Sequence, residues 1–258
     1  MSLDRQCVFI TGAAAGIGRA TARLFSQRGW FVGIADIDAP ALAQLAQELG
    51  SSVMRFRLDV TRAEEWNAAL GAFFDKTGRL DLLVNNAGIL ISGPFESNAL
   101  ARHDALVDVN IKGVIHGCHC ARPFLARTPG ARLVNLSSSA AIYGQAALAT
   151  YSATKFAVRG LTEALNIEWQ DQGIRVMDVM PLFVQTAMVK DMNAASIRRL
   201  GVRLTPEDVA NVIWKAAHYR GSLGKVHWPV GIRARLFHAL NGAGPDRLAR
   251  FIARMIAK

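Results

Sequence analysis

Short apolar segments alternate with longer segments of helical periodicity along most of this chain of 258 residues. The first apolar segment is Cys7-Val8-Phe9-Ile10, and five more follow at 31–35, 53–58, 80–84, 132–136 and 175–179. Helical patterns occupy 17–27, 39–49, 62–76, 98–126, 150–171 and 206–218. Nearly continuous apolar strands separated by helices indicate a parallel sheet that is covered on both faces. We therefore expect an α/β fold with a doubly wound sheet, whose ligand lies at the carboxyl ends of the strands.

The length and composition favour one domain over residues 1–258. With 51% hydrophobic and 19% charged residues the chain can bury a large core, yet it is short for two domains. Its three cysteines do not suggest a disulfide framework, and no signal segment precedes the first strand pattern. No apolar run reaches the ~18 residues of a membrane span. A cytoplasmic location is expected.

The net charge of +10 is concentrated in the last quarter of the chain. Residues 198–258 contain twelve Lys and Arg and three Asp and Glu, so the rest is nearly neutral. No reading helix or zinc motif accompanies the charge, so we expect no nucleic-acid partner. A basic amphipathic helix is predicted after Gly244. It either docks on a neighbouring subunit or lies on an anionic membrane surface, and the sequence leaves both open.

A glycine-rich turn joins the first strand to the first helix. It reads Thr11-Gly12-Ala13-Ala14-Ala15-Gly16-Ile17-Gly18. Gly12 permits a tight turn, Gly16 lets the backbone approach a pyrophosphate, and Gly18 allows close helix packing. Because the helix N-terminus also offers unpaired amides to phosphate, the turn predicts a dinucleotide site.

Asp36 ends the second predicted strand, 24 residues after Gly12. A carboxylate at this point can accept hydrogen bonds from an adenosine ribose, whereas a 2′-phosphate would meet like charge. No Lys or Arg at positions 13–15 compensates for that charge. We therefore expect NAD rather than NADP. Asp38, which precedes Ala39-Pro40, is expected to cap the next helix.

Tyr151 and Lys155 are four residues apart at the start of a helical stretch, so their side chains share one face. An ammonium group one turn away favours the phenolate and lowers the pKa of the tyrosine. The pair can then exchange a proton with an alcohol or a carbonyl. The same spacing also occurs where Tyr and Lys are merely solvated on a helix, so the pair alone does not decide the function.

Together these motifs resemble those of the short-chain dehydrogenase/reductase family. Thr11 to Gly18 fits the family's cofactor motif, Asp59-Val60 fits the acidic position after the third strand, and Asn85-Asn86-Ala87-Gly88 fits the motif after the fourth. Further matches in the right order are Asn110, Ser138 (13 residues before Tyr151), Tyr151 and Lys155. The resemblance spans residues 7–186. It implies a Rossmann fold with a mostly parallel, seven-stranded sheet, in which 1–186 form the cofactor-binding and catalytic core and 187–258 the substrate loop and basic C-terminal region.

The resemblance also implies a function: an NAD(H)-dependent oxidoreductase, a homodimer or homotetramer, that interconverts a primary or secondary alcohol and its carbonyl by hydride transfer. Tyr151 would exchange the proton, and Lys155 would lower its pKa and bind the nicotinamide ribose. Ser138 would donate a hydrogen bond to the substrate oxygen, and Asn110 would hold a water between Lys155 and solvent. The implied cofactor contacts are Gly12, Ala14, Gly16, Ile17, Gly18, Asp36, Asp59, Val60, Asn86, Ala87, Gly88, Tyr151, Lys155, Pro181, Val184 and Thr186. The alternative is a catalytically idle NAD-binding sensor or scaffold of the same fold.

The chain departs from the family pattern after the sixth strand. The family commonly has P-G-x-V-x-T there, and this chain has Pro181-Leu182-Phe183-Val184-Gln185-Thr186. Leu182 replaces the glycine that most easily leaves room for a ring. We expect cofactor binding to survive and the floor of the substrate pocket to change.

The loops expected to wall the substrate pocket are apolar, which favours a lipophilic alcohol or ketone over a sugar. Their expected lining residues are Ile89, Leu90, Ile91, Phe95, Ile142, Tyr143, Leu182, Phe183, Met188 and Met192. His116 and Cys120 can share a helix face, but no second ligand pair at structural spacing accompanies them. We therefore expect no metal site.

Overall fold

The computed structural model describes residues 4–190, 192, 201–221 and 224–241. Its strands are β1 Cys7–Thr11, β2 Phe31–Asp36, β3 Val53–Arg57, β4 Leu82–Asn85, β5 Arg132–Leu136, β6 Arg175–Pro181 and β7 His227–Val230. They form one sheet in the order β3-β2-β1-β4-β5-β6-β7, and every neighbouring pair is parallel. The strand order reverses beside β1, which opens a crevice at the carboxyl ends of β1 and β4.

Helices cover both faces of this sheet. They are α1 Gly16–Gln27, α2 Ala39–Leu49, α3 Ala63–Thr77, α4 Leu100–Val107, α5 Gly113–Ala126, α6 Ala149–Glu168, α7 Ala187–Lys190, α8 Pro206–Ala217 and α9 Ile232–Asn241. The Asp38 side chain accepts a hydrogen bond from Ala41 N at 3.0 Å, so its expected capping of α2 is confirmed. No helix within the described ranges is long and apolar enough to cross a membrane.

Alternate side chains of each central strand build two cores. Phe9 of β1 packs with Trp66 and Phe73 of α3 on one face, where α5 and α6 also contribute. Val8 and Ile10 point to the other face, toward α1, α2 and α8. Because both faces of these strands are buried, the strands read as continuous apolar runs. The expected doubly wound, seven-stranded Rossmann fold is thereby confirmed.

Two details differ from the sequence-based expectation. The helix expected over 98–126 is two helices, α4 and α5, with a π-helical turn at Asp108–Lys112 between them. The seventh strand had no predicted position, and it is β7, which contains Pro229. β7 pairs with β6 alone and ends the sheet, and proline is tolerated on such an edge strand. The basic helix predicted after Gly244 lies outside the described residues.

Candidate active site

A cavity of about 550 Å³ opens at the carboxyl ends of the central strands. Its lining includes the glycine turn after β1, the ends of β2 and β5, and the segments that follow β4 and β6. Ser138, Tyr151 and Lys155 line the same cavity. Residues from distant parts of the sequence therefore meet where the strand order reverses.

The glycine turn presents a helix N-terminus to this cavity. Helix α1 begins at Gly16, its N-cap Ala15 provides no side-chain hydrogen bond, and its first turn holds no acidic residue. Gly16 and Ile17 line the cavity, and Gly12 and Gly16 have φ of 62° and 51°. Such uncapped backbone amides suit a pyrophosphate anion. The residues present thus fit the phosphates of a dinucleotide.

Close packing explains the third glycine of the turn. A Cβ on Gly18 would lie 2.1 Å from the Gly12 carbonyl oxygen, and this distance is too short for any side chain. Asn86 holds the turn from the other side, since its Nδ2 donates to Thr11 O at 2.8 Å and to Gly12 O at 3.0 Å. Gly18 does not line the cavity. Its lack of a side chain allows α1 to pack closely against β1 and the segment after β4.

Asp36 lies at the cavity wall at the end of β2. Its Oδ2 accepts from Ala14 N at 2.9 Å and its Oδ1 accepts from Asp38 N at 3.1 Å, which fixes the carboxylate. Ala14 is buried behind it and does not line the cavity. The next residue, Ile37, does line it and is 59% exposed. Ile37 was missing from the expected site, although a large apolar residue directly after the acid expected to bind the ribose was a usable signal.

Asp59 and Val60 line the cavity beyond β3, together with Leu58. The backbone amide and hydroxyl of Thr61 donate to Asp59 Oδ1 at 2.9 and 2.7 Å. Burial raises the pKa of Asp59, but the two hydrogen bonds from Thr61 together with the positive charges of Arg62 and Arg57 outweigh it and hold that pKa below its usual range. The carboxylate is therefore charged and held in place by the turn after β3.

Tyr151 and Lys155 lie one turn apart near the start of α6, as the spacing predicts. Lys155 Nζ donates to the Leu136 carbonyl at 2.8 Å and lies 5.6 Å from the centroid of the Tyr151 ring. Burial lowers the pKa of Lys155 to about 8. Both groups thus project from α6 toward the end of β5.

The pKa of Tyr151 differs in direction from the expectation. Burial raises it to about 12, and the Ser138 hydroxyl opposes this shift. The expected net lowering of this pKa by Lys155 is wrong for this structure. Burial destabilises the phenolate by more than the neighbouring groups stabilise it. Ser138 Oγ also accepts from Ala140 N at 3.1 Å, which sets its place at the cavity wall.

Asn110 lies in the π-helical turn and is fully buried. Its Oδ1 accepts from Ile89 N and its Nδ2 donates to Ile89 O, both at 2.9 Å. The same Nδ2 also donates to Thr154 Oγ1 at 3.3 Å. Asn110 does not line the cavity, unlike the other expected catalytic residues. One hydrogen of its amide therefore holds the segment after β4 and the other reaches α6, and its expected hold on a water stays a prediction.

The substrate side of the cavity only partly matches the expected lining. Five of the expected residues line it: Ile89, Leu90, Leu182, Phe183 and Met188. Ile142 is instead buried in the core, and Phe95 is 61% exposed and packs on His103. The others that do not line it are Ile91, Tyr143 and Met192. Gln145 and Leu148 of the segment before α6 line it in their place.

His116 and Cys120 have separate partners. His116 Nδ1 lies 3.3 Å from Val60 O, and Cys120 Sγ lies 3.9 Å from Ala63 O. Among the described residues, no three His, Cys, Asp or Glu side chains gather as metal ligands would.

Comparison with known proteins identifies the family. The short chain dehydrogenase family model matches residues 6–196. The 3-oxoacyl-[acyl-carrier-protein] reductase of Thermotoga maritima is 35% identical over 222 residues, which are 83% of this chain and 90% of that protein. A 3-alpha-(or 20-beta)-hydroxysteroid dehydrogenase of Mycobacterium tuberculosis is 34% identical over 205 residues, 79% of each chain.

Solved structures agree with this assignment. A 3-ketoacyl-(acyl-carrier-protein) reductase from Brucella melitensis, complexed with NADH, superposes with a TM-score of 0.82 at 29% identity, over 89% of this chain and 98% of that chain. ElxO with NADP bound superposes with a TM-score of 0.80 at 27% identity, over 88% and 97%. The fold, the glycine turn and these similarities together show that the chain belongs to the short-chain dehydrogenase/reductase family of nucleotide-binding oxidoreductases.

Proposed function

We propose that this protein interconverts a lipophilic alcohol and its carbonyl with NAD(H) as the cofactor. One observation carries the proposal: Ser138, Tyr151 and Lys155 line the same cavity as the glycine turn and Asp36. A group that can exchange a proton therefore faces a site that fits a dinucleotide. The bound nicotinamide supplies or accepts the hydride.

The chain's own residues would handle the proton and the substrate oxygen. In the reduction direction the neutral, buried phenol of Tyr151 already carries the proton that it gives to the carbonyl oxygen at its Oη. In the oxidation direction Tyr151 must first become a phenolate, and the positive charges of Lys155 and of an oxidised nicotinamide would oppose the effect of burial and favour that form. Ser138 Oγ donates a hydrogen bond to the substrate oxygen as that oxygen gains or loses charge. Lys155, held by the Leu136 carbonyl, supplies positive charge beside the phenolate. Each residue thus acts on a stated atom within one cavity.

The fixed Asp36 carboxylate supports NAD as the preferred cofactor. Its two oxygens already accept from Ala14 N and Asp38 N, so it stays at the cavity wall as a negative charge. A ribose diol can donate to its remaining lone pairs, whereas a 2′-phosphate would face like charge at short range.

The lining supports a lipophilic substrate. Leu148, Leu182 and Phe183 pack together with Tyr151 beside the reacting position. Leu182, in place of the glycine common in the family, adds apolar bulk where a substrate ring would enter. One of the relatives is named as a hydroxysteroid dehydrogenase, and a hydroxysteroid is a lipophilic alcohol of this kind. We therefore favour a cyclic or aromatic alcohol or ketone over a sugar.

We also propose that the protein works as a homodimer or homotetramer. The exposed apolar residues Ile115 of α5 and Phe156 and Ile167 of α6 support this, being 44%, 42% and 73% exposed. A pair of helices that shows such residues to water suits contact with a second copy.

The variant Tyr151→Phe tests the proposal. It removes only the hydroxyl, so we expect turnover of lipophilic alcohols with NAD to fall by about 10³-fold or more, with the Kd for NAD within about twofold. Absorbance of the reduced cofactor measures turnover, and calorimetry measures binding. Tyr219→Phe is the matched control, because Tyr219 packs on Trp228 away from the cavity. Full activity of Tyr151→Phe would overturn the proton-transfer assignment, and binding of NAD without turnover by the unaltered protein would favour an idle sensor or scaffold.

A further inference from the structure

Gln145 has a buried side-chain oxygen at the cavity that is left without a partner by the described residues. It lies between β5 and α6, lines the cavity, and is 5% exposed. Its Oε1 is buried and accepts no hydrogen bond from any residue that the structure describes. Buried side-chain oxygens are usually paired, because an unpaired one forfeits its hydrogen bond to water. An unpaired amide that lines a ligand cavity therefore points to a ligand group.

The backbone around Gln145 is held firmly. Gln145 N donates to Ser152 Oγ at 3.1 Å, and Leu148 N donates to Gln145 O at 3.1 Å. Ala147 has a φ of 63°, and its carbonyl accepts from Gly93 N at 2.9 Å. A non-glycine residue in the left-handed region persists only where surrounding contacts impose it. The turn therefore fixes the point from which the amide projects, as a recognition residue requires.

A second polar group accompanies the amide. The Tyr143 hydroxyl is also buried, and no described residue pairs with it at full hydrogen-bond geometry. Burial raises the pKa of Tyr143 to about 12, and the hydrogen-bonding effect of the Gln145 side chain opposes this shift, so the two groups lie close together. Tyr143 therefore stays neutral and keeps its proton for donation. Two polar side chains thus lie together at the edge of an apolar cluster that contains Leu148, Phe183 and Tyr151.

We propose that Gln145, backed by Tyr143, binds a hydroxyl group of the substrate other than the one that reacts. The inference rests on the proposed function, in which Ser138 and Tyr151 already hydrogen-bond to the substrate oxygen that reacts. Gln145 must therefore pair with a second oxygen of the substrate. A hydroxyl both donates and accepts, so it can pair with either end of an amide and with a phenol. The substrate class is then a diol on a lipophilic frame, or the matching hydroxy ketone in the reduction direction.

The variant Gln145→Met separates this inference from general activity, because Met keeps the length of the side chain and removes the amide. The probes are cyclohexanol and the 1,2-, 1,3- and 1,4-cyclohexanediols with saturating NAD, since the series varies the distance between the two oxygens. We expect the unaltered protein to prefer one diol over cyclohexanol by about tenfold or more in kcat/KM. Gln145→Met should abolish that preference, and the control Gln172→Met, at an exposed 3₁₀ turn, should keep it.

Two results would overturn the inference. One is equal kcat/KM for cyclohexanol and every diol in the unaltered protein. The other is a diol preference that survives in Gln145→Met, which would mean that water alone satisfies the amide. Both leave the proposed function standing, since alcohols are still oxidised. If no alcohol is oxidised, the proposed function fails. Calorimetric titration of the same alcohols into the NAD-bound protein then decides the inference, and equal affinities in both proteins would overturn it.

Discussion

At the scale of a single residue, Asp36 has a structural part beside the one proposed for it in cofactor choice. Its carboxylate accepts from Ala14 N in the glycine turn and from Asp38 N at the start of α2. The same residue lines the cavity. A substitution that tests the charge must therefore keep an acceptor, or it would leave the buried amide of Ala14 unpaired.

Asp36→Asn meets this requirement and should relax cofactor discrimination. In the proposed binding mode the ribose of NAD donates to Asp36, so loss of the charge should weaken binding of NAD and remove the repulsion against a 2′-phosphate. A like charge a few ångströms away costs ~1–3 kcal/mol at the surface, so we expect the ratio of the Kd for NADP to that for NAD to fall by about tenfold. Calorimetric titration of both cofactors measures the ratio.

Asp38→Asn is the matched control for this experiment. It makes the same change of charge two residues along, and Asn caps a helix as well as Asp does. Its ratio of the two dissociation constants should stay that of the unaltered protein. An unchanged ratio in Asp36→Asn as well would contradict the assignment of cofactor choice to this residue.

The sequence predicted that Asp36, Ser138, Tyr151 and Lys155 lie at one cavity, but it predicted only part of the substrate side and not the environment of each residue. The spacing of Tyr151 and Lys155 correctly predicted one helix face. It carried no information on burial, which favours the neutral form of both groups and brings the pKa of Lys155 to about 8 and that of Tyr151 to about 12. Likewise, no local pattern shows that Gln145 lacks a partner, because partners come from distant segments.

At the scale of elements, the region from α4 to α6 is where local periodicity failed. The apolar pattern over 98–126 is continuous, yet the chain inserts a π-helical turn at Asp108–Lys112. Contacts of Asn110 with Ile89 and Thr154 accompany the turn, and both partners are distant in sequence. Such turns are common at functional sites and leave little trace in a hydrophobic pattern.

His103 of α4 fastens two elements around the cavity. One ring nitrogen, Nδ1, lies 2.8 Å from Thr150 Oγ1 at the start of α6, and the other, Nε2, lies 3.2 Å from Phe95 O. Its ring also packs on the Phe95 ring, with 4.7 Å between centroids. Thr150 directly precedes Tyr151. His103 therefore ties the segment after β4 to the helix that carries Tyr151 and Lys155.

His103→Phe should loosen that connection while keeping the aromatic contact. Loss of two hydrogen bonds should lower the free energy of unfolding by about 1–3 kcal/mol. We expect KM for the alcohol to rise severalfold with the Kd for NAD unchanged, because Asp36 and the glycine turn lie across the cavity. Steady-state kinetics and calorimetry give the two constants. His119→Phe, at an exposed position of α5, should change neither, and equal losses in both variants would contradict the role of His103.

At the scale of the whole molecule, the centre of the sheet was predictable because its strands are buried on both faces. That burial makes β1, β2, β4, β5 and β6 largely apolar, and their order follows from crossovers that keep helices on both sides. Strand β7 lies at the edge, is only partly buried and contains Pro229, so its pattern is weak. Besides its pairing with β6 and the buried Trp228 and Val230, polar contacts of His227 hold it in place.

His227 joins the edge strand to the interior of the molecule. Its Nδ1 lies 2.9 Å from Asp178 Oδ1 in the neighbouring strand, and its Nε2 lies 2.9 Å from Glu163 Oε1 of α6. Arg159 Nε donates to the same Glu163 oxygen at 2.9 Å, and the His238 ring of α9 lies 5.5 Å away. Burial lowers the pKa of His227, but the hydrogen bond and charge of Asp178 outweigh it, and the pKa is raised above 6.5.

A raised pKa means that the folded protein holds this proton more tightly than the unfolded chain. The stability it contributes is therefore fully present below pH 6.5, the ordinary histidine value, and is lost as the pH rises through the higher folded-state value. His227→Gln should have a lower Tm than the unaltered protein, with the largest difference below pH 6.5 and a smaller one above it. Thermal melts across this range measure the difference. His218→Gln is the control, because His218 is exposed, its Nδ1 lies 2.8 Å from Trp214 O and its ring packs on Trp30 and Trp214; this variant should show no such trend with pH. A difference for His227→Gln that is constant with pH would show that the proton does not stabilise the edge strand.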